Sequence, residues 1–197
     1  LFSSALTDKS IVIISGLAFG IDAAAHKAVV DHTGAGIAVL ASGVDTITPR
    51  TNEQLGKALL EQGGCIISEY PPGTKPEPRF FIERNRIVAG LSQGILVIEA
   101  PERSGTLSTA RFAIEQNRDV FVIPGALRDQ NFIGSHNLIK QGAQLVTEPK
   151  DILESLGISE EKSSPQPLPF LDEIEARIVD VVRSAGSSLT ADQIAER

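Results

Sequence analysis

A chain of 197 residues is long enough to bury one full hydrophobic core and to begin a second domain. With 42% hydrophobic and 22% charged residues it has the composition of an ordinary soluble globular protein, and its net charge of −7 excludes a global basic field that would attract nucleic acid. A polyanion could be met only by a local basic patch.

One cysteine, Cys65, makes neither a disulfide framework nor a zinc cage, so no metal is expected and a reducing compartment suits the chain. It stands in the run Cys-Ile-Ile and is expected in a buried strand. No apolar stretch approaches the length needed to span a bilayer, and the start carries no signal-peptide pattern. The expected location is the cytoplasm, away from membranes. Methionine is absent even at position 1, which is read as loss of the true start by processing or truncation.

Residues 1–9 read as the last turns of a helix. Ile11-Val-Ile-Ile14 is a short buried strand that runs into Ser15-Gly-Leu-Ala-Phe-Gly-Ile-Asp22, where two glycines allow a tight turn, and a helix continues through about Val30. Such a loop offers free amides to an anion, or it simply packs closely. The segment Gly34-Ala-Gly36 precedes a strand, Ile37–Leu40, and so lacks the context of a dinucleotide fingerprint. After a turn-rich loop, Thr51 or Asn52 is expected to cap a helix over Glu53–Glu61 that stops at Gly63-Gly64, and Cys65–Ser68 is the next strand.

Four prolines between Pro71 and Pro78 then enforce an extended surface loop. The following helix, through Leu91, reverses the overall charge locally: Lys75, Arg79, Arg84 and Arg86 stand against Glu77 and Glu83. These arginines form either a solvated face or an anion site, with pairing to Glu69 or Glu99 a third possibility. Phe80 and Phe81 are either core residues or a platform for a base.

The strand Ile95–Ile98 delivers Ser104-Gly105-Thr106-Leu107-Ser108-Thr109 to a helix that runs to about Asn117. A glycine and hydroxyls at a helix start suit phosphate, although Ser104 or Thr106 could serve only as the cap. Val120–Ile123 and Gln144–Thr147 complete six strands alternating with helices, a further helix lying over Ser135–Gln141. That alternation predicts a parallel sheet in a Rossmann-like, doubly wound α/β domain over residues 1–158. Its ligand should lie at the carboxyl ends of the strands, where the Ser15, Arg84 and Ser104 loops emerge. Residues 159–169 read as a proline-rich linker, and residues 170–197 as two helices of a partial winged-helix-like piece.

The blocks SGLAFGID with AAAH, SGVD, SEYPPG, FIERNRIVAGLS, EAPERSGTLSTA, VFVIPG and GSHNLIKQGA, in this order, resemble the DprA/Smf family, the DNA-processing proteins of bacterial natural transformation. The family pattern has a further strand and a Gly-Ser-Arg turn before the first block. It usually places tyrosine at Thr48, proline at Ile82 and asparagine at His136.

The resemblance implies a protein without catalytic residues or cofactor that binds single-stranded DNA, dimerises and helps load the RecA recombinase. Carried onto this sequence, Lys75, Arg79, Arg84 and Arg86 would neutralise the backbone, with Asn85 in the same block. Ser15, Gly16, Ser104, Gly105 and Thr106 would hold a phosphate, and Phe81 would stack a base. Asp22 and His26 are read as structural. The dimer contact would come from the helix carrying Leu138 and Ile139.

The competing reading is a nucleotide-binding or nucleotide-hydrolysing enzyme similar to the LOG phosphoribohydrolases. The loop at Arg103–Ala110 lacks that group's double glycine, and Leu107 or Ser108 replaces its acid.

Overall fold

The apolar tetrapeptides become strands because a parallel sheet covered on both faces buries every side chain in turn. The structure, a computed structural model, describes residues 1–158. Its elements, in chain order, are α1 (Phe2–Asp8), β1 (Ile13–Ser15), α2 (Ile21–Asp31), β2 (Gly36–Val39), α3 (Glu53–Glu61), β3 (Cys65–Ile67) and α4 (Pro78–Leu91). There follow β4 (Gly94–Val97), α5 (Gly105–Glu115), β5 (Asp119–Val122), α6 (Ile133–Lys140), β6 (Gln144–Leu145) and α7 (Pro149–Ser155). No described helix is long and apolar enough to cross a membrane.

All the strand pairings are parallel, and they fall into two three-stranded halves, β1-β2-β3 and β4-β5-β6. The sequence predicts one sheet; here the hydrogen-bonded ladder is interrupted between the halves. They are nevertheless joined on one face. Val39 of β2, Val88 and Ala89 of α4, Val97 of β4 and Val122 of β5 share a single apolar cluster. The period of two along each strand sends alternate residues to opposite faces. Ala38 and Leu40 therefore pack with Leu17, Val29 and Leu59 in a second cluster, and Phe121 packs with Leu6, Val146, Ile152 and Leu153 in a third. Apolar clusters on both faces define the doubly wound architecture.

Two local expectations are corrected. Cys65 is exposed, as the first residue of β3, which is an edge strand. Asn52 does occupy the N-cap position of α3, but its side chain caps nothing; the amide donates instead to the β1–α2 loop. Helix α7 is an element beyond the six predicted strands and their helices, and its start carries a sequence signal: Pro149 follows Glu148, and Glu148 and Asp151 form a reciprocal capping box. The proposed linker and the winged-helix-like piece lie outside the described residues.

Candidate nucleic-acid interface

Where β1 ends, the chain must turn sharply into α2, and the turn is held by side chains rather than by glycine alone. Asp22 Oδ2 accepts from the backbone N–H groups of Gly16 (3.1 Å) and Ala18 (3.2 Å). Asn52 Nδ2 donates to the carbonyls of Leu17 (2.9 Å) and Ala18 (3.2 Å). Leu17 accepts a left-handed backbone, φ 55°, to bury its side chain completely. The Asp22 carboxylate thus holds the turn.

The turn is tied to α4 by Arg84. Its side chain is 4% exposed, and Nη1 donates to the Gly16 carbonyl at 2.7 Å and also to the carbonyl of Val39. Nε donates to Asn85 Oδ1 (3.1 Å), and Asn85 Nδ2 reaches the carbonyl of Gly105 at 3.4 Å. Burial lowers the pKa of Arg84, with the Asp22 carboxylate and Tyr70 opposing the fall. An arginine nonetheless stays charged at neutral pH. This charge is satisfied by carbonyls inside the fold. Arg84 therefore orders the loops instead of offering its charge at the surface, and neither Glu69 nor Glu99 is its partner.

Arg86 behaves differently. It is half exposed and forms an ion pair with Glu69. Beside it, the ring of Tyr70 lies 4.2 Å from that of Phe80, and the Tyr70 hydroxyl donates to Glu83 Oε2 at 2.9 Å. Burial and that carboxylate push the phenol up to about 12. Arg79 stacks over the other aromatic partner, 4.9 Å from the Phe80 centroid, while pairing with Glu77. Phe80 is thus half-buried packing. Phe81, one residue on, is 40% exposed with the Arg84 guanidinium 5.9 Å from its ring centre.

Ser104 is the N-cap of α5 by backbone geometry, but its hydroxyl makes no capping bond and is buried without a hydrogen-bond partner. The N-terminal amides of this eleven-residue helix carry the positive end of its dipole. A cleft of about 700 Å³ runs between β1 and β4. Its walls are apolar, with Ile13, Val88, Leu96 and Phe121 among them; at the carboxyl end of β1 it becomes polar, lined by Ser15, Asp22, Asn85, Thr106 and Thr109.

Of the residues singled out from sequence, Ser15, Gly16, Arg84, Asn85, Gly105 and Thr106 are brought together by these bonds and this cleft. Lys75 and Arg79 are exposed on the proline-rich loop and the start of α4, and neither lines the cleft. Leu138 is 6% exposed inside the main core, and Ile139 packs against it half-buried, so the solvent-facing side of α6 is carried by neighbours such as Asn137 and Lys140. The sequence marks Asn52 only as a possible cap; its role in holding the β1–α2 turn has no local signal, because its partners lie 34 and 35 residues away.

An α/β fold with loops and a helix N-terminus gathered at the carboxyl ends of parallel strands defines a Rossmann-like domain. Residues 1–157 match the family of the DNA recombination-mediator protein A, and the chain belongs to that family, DprA/Smf. It is 52% identical over 156 residues to protein Smf of Escherichia coli, covering 79% of this chain and 42% of that one. To DNA processing protein DprA of Streptococcus pneumoniae it is 45% identical over 146 residues, 74% of this chain and 51% of that protein. The chain thus spans about half the length of these relatives.

The crystal structure of the S. pneumoniae protein superposes with a TM-score of 0.67 at 42% identity, covering 77% of this chain and 56% of the other. A structure of DNA processing protein A from Helicobacter pylori, concerned with the single-stranded DNA binding mode of that protein, gives 0.70 at 28% identity, covering 79% and 70%.

Proposed function

We propose that this chain binds single-stranded DNA without strong sequence preference, as a recombination mediator that protects incoming strands and hands them to a RecA-type recombinase. The observation that carries the reading is the polar part of the cleft, where Ser15, Asn85, Thr106 and Thr109 line the start of α5 and the end of β1, on the loop system that Arg84 and Asn85 bind together. Free helix amides, Ser104 and Thr106 suit a backbone phosphate. Arg86, with Lys75 and Arg79 on the adjoining surface, supplies charge, and Phe81 offers a ring to an unstacked base. Duplex DNA keeps its bases stacked and cannot use that ring. The H. pylori relative supports the same class of ligand. No catalytic step is assigned, and self-association through the exposed side of α6 belongs to the same proposal.

The test is binding to a labelled oligo-dT strand and to a duplex of equal length across a salt series. Preference for the single strand, with affinity falling linearly on a log–log salt plot by about 0.7 per phosphate contacted, is the expected result. Indifference to both DNAs overturns it.

A further inference from the structure

Phe19 has no role in the reading above, and the fold gives it no place to hide. It is 71% exposed, at the tip of the β1–α2 turn. Burying such a ring would be favourable. The backbone immediately before Phe19 is held in place. Asp22 holds the amides at 16 and 18, Asn52 holds the carbonyls at 17 and 18, Arg84 holds the carbonyl at 16, and Leu17 is locked in the core. An ordered backbone through Ala18 therefore presents an aromatic side chain to solvent, which lowers the backbone ordering cost of binding.

We propose that Phe19 is a second base-stacking platform, working with Phe81 on neighbouring nucleotides of one single strand. This rests on the single-strand reading and deepens it. Phe19 lies three residues beyond Gly16 and Phe81 three residues before Arg84, so both rings belong to segments joined by the Arg84–Gly16 hydrogen bond. Ala18, beside Phe19, lines the same cleft as Asn85, Thr106 and Thr109, so Phe19 stands at the margin of the cleft that holds the donors suited to phosphate. Asp22 adds little repulsion, because backbone N–H groups already engage its carboxylate. Stacking on an aromatic ring tolerates any base, as a mediator of arbitrary incoming strands requires.

The test compares the unsubstituted chain with Phe19→Ala, Phe19→Leu and Phe19→Trp, using an oligo-dT strand and an abasic strand of equal length. Phe19→Ala and Phe19→Leu should each weaken oligo-dT binding by about tenfold while leaving the salt slope and abasic binding unchanged. The chain has no tryptophan, so Phe19→Trp introduces a single indole whose emission should be quenched by oligo-dT and not by the abasic strand. If the unsubstituted chain binds oligo-dT and Phe19→Ala binds it equally well, or loses the abasic strand to the same extent, the platform is refuted and the single-strand reading survives. If the unsubstituted chain binds neither strand, both fall. A change in oligomeric state without a change in affinity would assign Phe19 to a protein contact instead.

Discussion

Arg84 Nη1 donates to the carbonyl of Gly16 at 2.7 Å, across 68 residues of sequence, and a side chain at position 16 would overlap the guanidinium. Glycine is therefore needed at 16 for proximity. The turn that Gly16 opens, the end of β2 at Val39 and the start of α5 at Gly105 are all held from this one point, directly or through Asn85.

Gly16→Ala should displace Arg84 and destabilise the chain by about 1–3 kcal/mol, the usual cost of overpacking. Arg84→Ala should cost on the order of 3 kcal/mol, since two charge-assisted hydrogen bonds are lost together. Urea unfolding followed by circular dichroism reads both. In the Arg84→Ala background Gly16→Ala should cost much less, because the group it collides with is gone. Simple additivity would show that the two residues act separately.

Arg86 and Glu69 set the exposed charge of the interface. Arg86→Ala should flatten the salt dependence of oligo-dT binding by about 0.7, the loss of one phosphate contact on a single strand. Glu69→Gln frees Arg86 from its ion pair and should tighten binding by about two- to fivefold, the scale of an exposed pair. Weaker binding by Glu69→Gln would show that the pair orders the arginine for DNA.

The chain has one tyrosine and no tryptophan, so absorbance at alkaline pH follows Tyr70 alone. Its titration should be centred at about 12, where a free phenol titrates near 10. Glu83→Gln should move the midpoint down part of the way, burial keeping the remainder. A midpoint already at the ordinary value would rule out the Tyr70–Glu83 hydrogen bond.

His26 is wholly buried on α2, and neither ring nitrogen makes a hydrogen bond of acceptable geometry. Burial lowers its pKa; Asp22 and the Ser15 backbone oppose the fall, and Arg84 adds to it. The unfolded chain, with an ordinary pKa of 6.5, binds the proton more readily than the folded one. Stability should therefore fall as pH drops below about 6.5, by at most about 1.4 kcal/mol per pH unit from this group, until the lowered folded pKa is passed. His26→Leu should remove that part of the slope in denaturant melts taken between neutral and mildly acid pH. An unchanged slope would place the proton uptake elsewhere.

By itself the sequence determined the alternation of strands and helices, because short apolar runs such as Ile37–Leu40 and Val120–Ile123, too short for a helix and rich in β-branched residues, suit a sheet covered on both faces. It also carried the ordered blocks by which the family is recognised, and the loops that meet at the strand ends. The tertiary structure decided what each side chain in those blocks does. Arg84 and Arg86 look alike in the sequence, two residues apart on one helix, yet a rotation of about 200° between them puts one guanidinium in the core and leaves the other at the surface. Asn52, expected to cap its own helix, is drawn away by two carbonyls that only folding brings within reach. Cys65 is exposed because β3 ends the strand order, a fact of sheet topology and not of the apolar run around it. Local pattern specifies which backbone forms; partners distant in sequence determine which side chains are left for a ligand.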